Sequence, residues 1–228
     1  MKKLLDSFLK KKKEDARMKF MSKGFHGDTY LLKLVDFIMA QNVVNFIETG
    51  TNVGSTLKYT ADKFNKVNCY SCETDEIVYN KAISNLEGLN NIKLFNKDAI
   101  VFLNDLTHDF PKLSESKNLF WLDAHGYGFK WPLREEISYI TENFINAYIL
   151  IDDFKVPHLD AFGYDVYEEQ ECSFEYIKDY FSTTNYKLYY PDYTEKTSDY
   201  HPLRGWGLII LGDNLEAPDQ RKFKVKAY

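Results

Sequence analysis

Acidic residues recur where apolar runs of this chain end. Glu48 and Glu73 close two such runs, Asp98 falls just after a third, and Asp123 and the pair Asp152–Asp153 close two more. Carboxylates held together repel one another, so they share protons or gather around something positive or hydroxyl-bearing. Glu48 also opens E-x-G-x-x-x-G, with glycines at 50 and 54. Glycine lets backbone amides approach a ligand, and a helix starting at Ser55 would present unpaired N–H groups to it. An acid beside such a cradle argues for a ligand with a positive charge or hydroxyls rather than a polyphosphate.

Apolar strand-like runs alternate with amphipathic helical ones, the pattern of a mostly parallel α/β sheet. Strands are predicted at 43–48, 67–73, 92–96, 118–123 and 147–152. A last pair, 186–190 and 206–211, leaves no room for a full crossover helix and predicts an antiparallel hairpin with 191–205 as its long connection. Helices are predicted at 3–20, 29–41, 55–65, 75–86, 98–106, 132–143 and 171–182. Asp28 suits an N-cap and Pro132 a first turn. Residues 1–228 read as one domain, with 1–41 a helical cap over the sheet. Ligands of an open α/β sheet sit beyond the carboxyl ends of its strands, where these acids lie.

Glu73 stands about 25 residues after Glu48, the spacing at which a carboxylate accepts hydrogen bonds from the ribose hydroxyls of an adenosine cofactor. Asp98 falls where an adenine amino group could be held, and equally where it would cap helix 98–106. The glycine spacing and the acid at the strand end tilt the ligand toward S-adenosylmethionine (SAM). The arrangement resembles the class I SAM-dependent methyltransferases from about residue 43 to 211. It implies a Rossmann-like, seven-stranded, mostly parallel sheet with a C-terminal antiparallel hairpin and helices on both faces. By position, Glu48, Gly50, Asn52, Gly54, Ser55, Glu73, Asp98, Ala99 and Asp123 would bind the cofactor. G-x-G-x-x-G, the Walker loop and G-x-S-x-G are all absent.

FWLDAHG (120–126) and ILIDDF (149–154) bring Asp123, Asp152 and Asp153 to neighbouring strand ends. This resembles the metal-dependent O-methyltransferases of the catechol and macrocin types. The likeness implies Asp123, Asp152 and Asp153 as ligands of Mg²⁺, which prefers oxygen donors and keeps some of its waters. Such an ion would lower the pKa of an acceptor hydroxyl. The catechol type carries a lysine base three residues after its fourth-strand Asp; here that position is Gly126. His125 is the substitute base, with Asp123 beside it in the catalytic set. Without a metal, Asp123 would contact only the cofactor, and Asp152 and Asp153 would be turn or cap residues.

The aromatic segments 126–136 and 154–170 suit an acceptor pocket, with Trp131 and His158 as substrate contacts and His201, Arg204 and Trp206 at its border. Packing of a lid explains the same residues. CYSC (69–72) lies inside a predicted strand without a second ligand pair, which argues against zinc.

At 228 residues and a net charge of −5, the chain carries no nucleic-acid footprint. No apolar run could span a bilayer and no signal peptide is evident, so a reduced cytoplasmic setting is expected. Lys10–Lys13 reads as a solvated helix face or an anionic-surface contact. The N-terminal helix could pair subunits into a homo-oligomer. The expected activity is Mg²⁺-assisted methyl transfer from SAM to a hydroxyl of a small molecule, a sugar or glycosylated natural product by the macrocin likeness. Its rivals are protein or peptide methylation and a binding module without catalysis.

Overall fold

Five apolar runs make the parallel part of the sheet: β1 Asn45–Thr49, β2 Asn68–Cys72, β3 Ile92–Phe95, β4 Asn118–Leu122 and β5 Ala147–Ile151. The computed structural model describes residues 23–124, 131–182, 184–198 and 201–228. Every residue of β1, β4 and β5 is buried, as parallel strands covered on both faces must be. A small hairpin, β6 Val166–Tyr167 with β7 Gln170–Glu171, stands apart from the main sheet. β8 Tyr186–Pro191, β9 Gly207–Leu211 and β10 Val225–Ala227 complete the order β10-β8-β9-β5-β4-β1-β2-β3. β9 pairs antiparallel with both β5 and β8, which is the expected closing hairpin.

The seven strands expected become eight, because β10 adds antiparallel to β8. Its three residues alternate too briefly, and beside too many lysines, to register as a strand. The helix expected at 171–182 is instead one α-turn, Phe174–Ile177, followed by a 3₁₀ turn, Lys178–Phe181. Pro132 sits at the N-cap position rather than inside the first turn. The helix expected at 3–20 and the cluster Lys10–Lys13 lie outside the described residues. No helix among those described is long and apolar enough to cross a membrane.

Helices cover both faces of the sheet. They are α1 Thr29–Met39, α2 Ser55–Lys63, α3 Glu76–Asn85, α4 Ala99–Asp109 and α5 Leu133–Asn143. α1 buries Leu31, Leu34, Val35 and Ile38, one stripe at helical spacing. Ahead of it, residues 24–28 make a tight turn closed by Gly27 N–H to Gly24 and Asp28 N–H to Phe25. Buried Phe25 pins this turn edge-on against Phe46, Tyr59 and Trp121.

Asp28 carries two loads. Its Oδ1 accepts the Tyr30 and Leu31 amides at 2.9 and 3.1 Å, capping α1, and its Oδ2 accepts the Tyr193 hydroxyl. Tyr193 in turn accepts Trp206 Nε1–H at 3.3 Å, tying α1 to the β8–β9 connection. Asp28→Ala removes the cap and strands a buried phenol, an expected loss of about 2–3 kcal/mol in urea unfolding. Asp28→Asn, which can still cap, should lose clearly less.

Candidate functional site

The loop between β1 and α2 is shaped by positive backbone angles at Gly50 (φ +82), Asn52 (φ 49) and Gly54 (φ +86). A Cβ on Gly50 would meet the Asp123 carbonyl oxygen, with Asp123 C at 2.6 Å and Ala124 Cα at 2.9 Å, so the loop lies directly on the end of β4. The Gly50 and Thr51 amides both donate to Cys72 O, at 3.1 and 2.9 Å. Glu73 braces the same loop: its carboxylate accepts Asn52 N–H at 2.8 Å and Asp75 N–H at 3.0 Å. A carboxylate has further lone pairs, so these two bonds leave Glu73 acceptor capacity for ligand hydroxyls. Two hydroxyls flank the loop without a partner, Thr49 Oγ1 and Ser55 Oγ, both buried atoms. Buried polar atoms are normally paired, and a polar ligand in the loop would meet this need. Asp98 caps α4 through the Ile100 amide at 2.9 Å, with Ala99 buried behind it.

Glu48, expected among the cofactor residues, lies inside the sheet. It is 1% exposed, faces Ser71 and Trp121 across the sheet, and accepts Ser71 Oγ–H at 2.6 Å. Ser71 also pairs with Thr51 Oγ1. Burial pushes the Glu48 carboxyl well above the usual range, against the Ser71 bond, and the charges of Asp123 and Glu73 push it further. Through Ser71 and Thr51, Glu48 is tied to the loop from within the sheet, while the Glu73 carboxylate lies at the loop itself.

The second half of the site gathers where β4 and β5 end. Asp123 N–H donates to Thr49 O at 3.0 Å and its Oδ2 accepts Trp121 Nε1–H at 3.3 Å. Asp152 is 2% exposed, and both its oxygens face His26 Nε2, at 2.7 and 2.8 Å. Asp153 has φ 48 and is ion-paired to Arg204 Nε; Arg204 Nη2 reaches Asp165 at 2.7 Å. His201 lies against His26, ring centroids 4.6 Å apart. Burial alone would lower the His26 pKa, but the charge and hydrogen bond of Asp152, with Asp123 and Asp153, raise it to about 9. Burial and the neighbouring His26 charge push His201 down.

No family model matches this sequence, and no curated protein matches it. Solved structures do match by shape. One, from Staphylococcus aureus and assigned as a caffeoyl-CoA O-methyltransferase, superposes at TM-score 0.52 with 13% identity, over 81% of this chain and 84% of its own. Another, from Nostoc punctiforme PCC 73102 and assigned as an O-methyltransferase, gives TM-score 0.53 with 10% identity, over 77% of this chain and 54% of its own. At such identities the likeness concerns the fold.

The chain has the class I methyltransferase fold. In this methyltransferase fold the expected cofactor residues divide in two. Gly50, Asn52, Gly54, Ser55, Glu73 and Asp123 converge on the β1–α2 loop, and Asp98 and Ala99 stand at the head of α4. The partnerless Ser55 hydroxyl and the spare acceptor capacity of Glu73 fit a nucleoside bearing hydroxyls.

The Mg²⁺ set fits less well. Among the described residues, the group close enough to share an ion is His26, Asp152 and Asp153, within 4.8 Å of one another; Asp123 is not part of it. Those carboxylates already have partners in the chain itself, Asp152 in the His26 ring and Asp153 in the Arg204 guanidinium. A hard ion would have to compete with the fixed charge of Arg204 for Asp153, and an imidazole nitrogen would take the place of the expected Asp123 oxygen, so the donor set is a poor match for Mg²⁺.

Trp131 is buried, edge-on to Tyr167 and Tyr176, and its Nε1 has no partner. It shares a cavity of about 10 Å³, room for one water, with Glu136, Asp152 and Cys172. His158 instead meets Tyr190 (centroids 6.4 Å apart) and Asp192 at 3.6 Å, near the antiparallel end of the sheet. His125 lies outside the described residues. Burial pushes the Cys69 thiol to about 12 and Cys72 well up, leaving the C-x-x-C pair as buried thiols in β2.

His26 was missed by sequence reasoning altogether. Its signal was local, a histidine between Gly24 and Gly27 just ahead of the Asp28 cap.

Proposed function

We propose that this chain transfers the methyl group of SAM to a hydroxyl oxygen of a small molecule. The observation that carries the proposal is the β1–α2 loop, seated on the end of β4 through Gly50 and braced by Glu73, with Ser55 Oγ partnerless beside it. Glu73 would take the ribose hydroxyls, Asp98 and Ala99 the adenine end, and Asp123 the methionine amine. The sulfonium is already activated, so the protein has to hold donor and acceptor in line and remove one proton. His125, two residues after Asp123, is the proposed base, and Trp131 the proposed acceptor contact. A sugar or glycosylated natural product as acceptor follows from the macrocin resemblance alone.

Calorimetry with SAM tests the proposal. The wild-type protein is expected to bind, and Glu73→Ala to bind at least about tenfold more weakly, since losing a bond to a charged acceptor costs about 1.5–3 kcal/mol. No heat of binding in folded wild-type protein would remove the proposal.

A further inference from the structure

Metal-dependent O-methyltransferases, which this sequence resembles, place a divalent ion among the acids that here close β4 and β5. We infer that in this chain two side chains, the Arg204 guanidinium on Asp153 and Asp165 and the His26 ring on Asp152, occupy the place of that ion, so that the acceptor end of the site works without a metal. The inference rests on the methyltransferase proposal for its catalytic meaning, but its geometry stands apart from SAM.

Three carboxylates are held here by His26 and Arg204: Asp152, Asp153 and Asp165. In a partly buried setting their mutual repulsion is costly, and something positive must lie among them. The chain supplies it in Arg204. Arg204 spreads one guanidinium over two carboxylates, Nε to Asp153 and Nη2 to Asp165 at 2.7 Å. An arginine never gives up its charge, so an arriving ion would meet a fixed cation as well as engaged oxygens.

His26 closes the other side. Its Nε2 lies 2.8 and 2.7 Å from the two oxygens of Asp152. The ring is fixed there by construction. The turn 24–28 holds His26 at φ 57, and the Phe25 amide donates to Thr56 Oγ1 at 3.2 Å. Trp121 and His201 flank the imidazole, with centroids 6.2 and 4.6 Å away.

Arg204 is built in as firmly. Gly205 N–H donates to Gly163 O at 2.7 Å and Phe154 N–H to Gly205 O at 2.9 Å, binding the β8–β9 connection to the segment after β5. Both side chains thus come from segments tied into the fold by hydrogen bonds.

The test uses Mn²⁺, a hard ion that reports its own binding by electron paramagnetic resonance. Titrated into wild-type protein, with and without S-adenosylhomocysteine, Mn²⁺ is expected to keep its free-ion signal up to about millimolar concentration, the weak end of specific affinity. The double variant His26→Ala/Arg204→Ala is expected to gain one bound Mn²⁺. One tightly bound Mn²⁺ in wild type would overturn the inference. So would a folded double variant that still refuses the ion, because the two side chains would then not be what excludes it. Should the double variant fail to fold, the wild-type titration alone decides. A wild type that binds neither Mn²⁺ nor S-adenosylhomocysteine counts against the methyltransferase proposal and leaves the charge compensation standing.

Discussion

Gly50→Ala is expected to cost about 3 kcal/mol of stability and to weaken SAM binding by more than tenfold. Two penalties combine at this position. A side chain at φ +82 is strained by about 1–2 kcal/mol, because Cβ crowds the neighbouring carbonyl. The new methyl would also press on backbone, with Asp123 C at 2.6 Å and Ala124 Cα at 2.9 Å, and backbone in the sheet cannot swing aside as a side chain can. Forced overpacking of this kind costs about 1–3 kcal/mol. Relief requires the loop to lift off β4, which separates the Asn52 amide from Glu73 and moves the helix start that would face the cofactor. Gly88 provides the control. It has φ +88 but nothing within 4 Å of a built Cβ, so Gly88→Ala should show the strain and little else. Urea unfolding of both variants, with SAM calorimetry on each, measures the difference. Equal losses at the two sites would mean that the loop does not bear on β4.

Asp152→Asn is expected to destabilise the fold by about 3 kcal/mol near neutral pH, and to do so in a pH-dependent way. Asp152 is 2% exposed and His26 22%, so the pair is poorly screened and its loss leaves a buried ring without its counter-charge. The His26 pKa stands at about 9 in the folded protein, against 6.5 as its ordinary value. A raised folded pKa means that the folded state holds the proton more tightly than the unfolded chain. Protonation therefore adds stability that is complete below about pH 6.5 and fades as pH rises through about 9. The shift corresponds to about 3 kcal/mol at 1.36 kcal/mol per unit. Wild type and variant should differ most near pH 6 and converge toward pH 10, as read by urea unfolding at each pH. A difference that stays constant across this range would show that His26 carries no extra proton in the folded state.

Much of this was legible in the sequence, for a plain reason. Apolar runs of five residues flanked by helical periodicity can be little other than covered parallel strands, so the ends of β1, β2, β4 and β5, and the acids on them, follow from local pattern. Asp28 is likewise local, since a cap acts on the residues that follow it. The role of Glu48 was harder to read. Phe46 and Glu48 share one face of β1, Phe46 packs on Phe25 of the turn 24–28, and burial pushes the Glu48 carboxyl well above the usual range. The partners of Asp152 and Asp153 were not legible as such. His26 meets Asp152 across 126 residues of sequence and Arg204 meets Asp153 across 51, contacts that only the folded chain creates. β10 escaped for the opposite reason: three residues with alternating lysine carry too little pattern to compete with a loop.

The central claim is that the β1–α2 loop holds the methyl donor. A crystal structure with S-adenosylhomocysteine bound tests it most directly. The nucleoside is expected over Gly50–Gly54, with its ribose hydroxyls on the Glu73 carboxylate, its adenine beside Asp98 and Ala99, and its sulfur directed toward the ends of β4 and β5. Density at any other place on the molecule, or a saturated crystal with the loop empty, would contradict it.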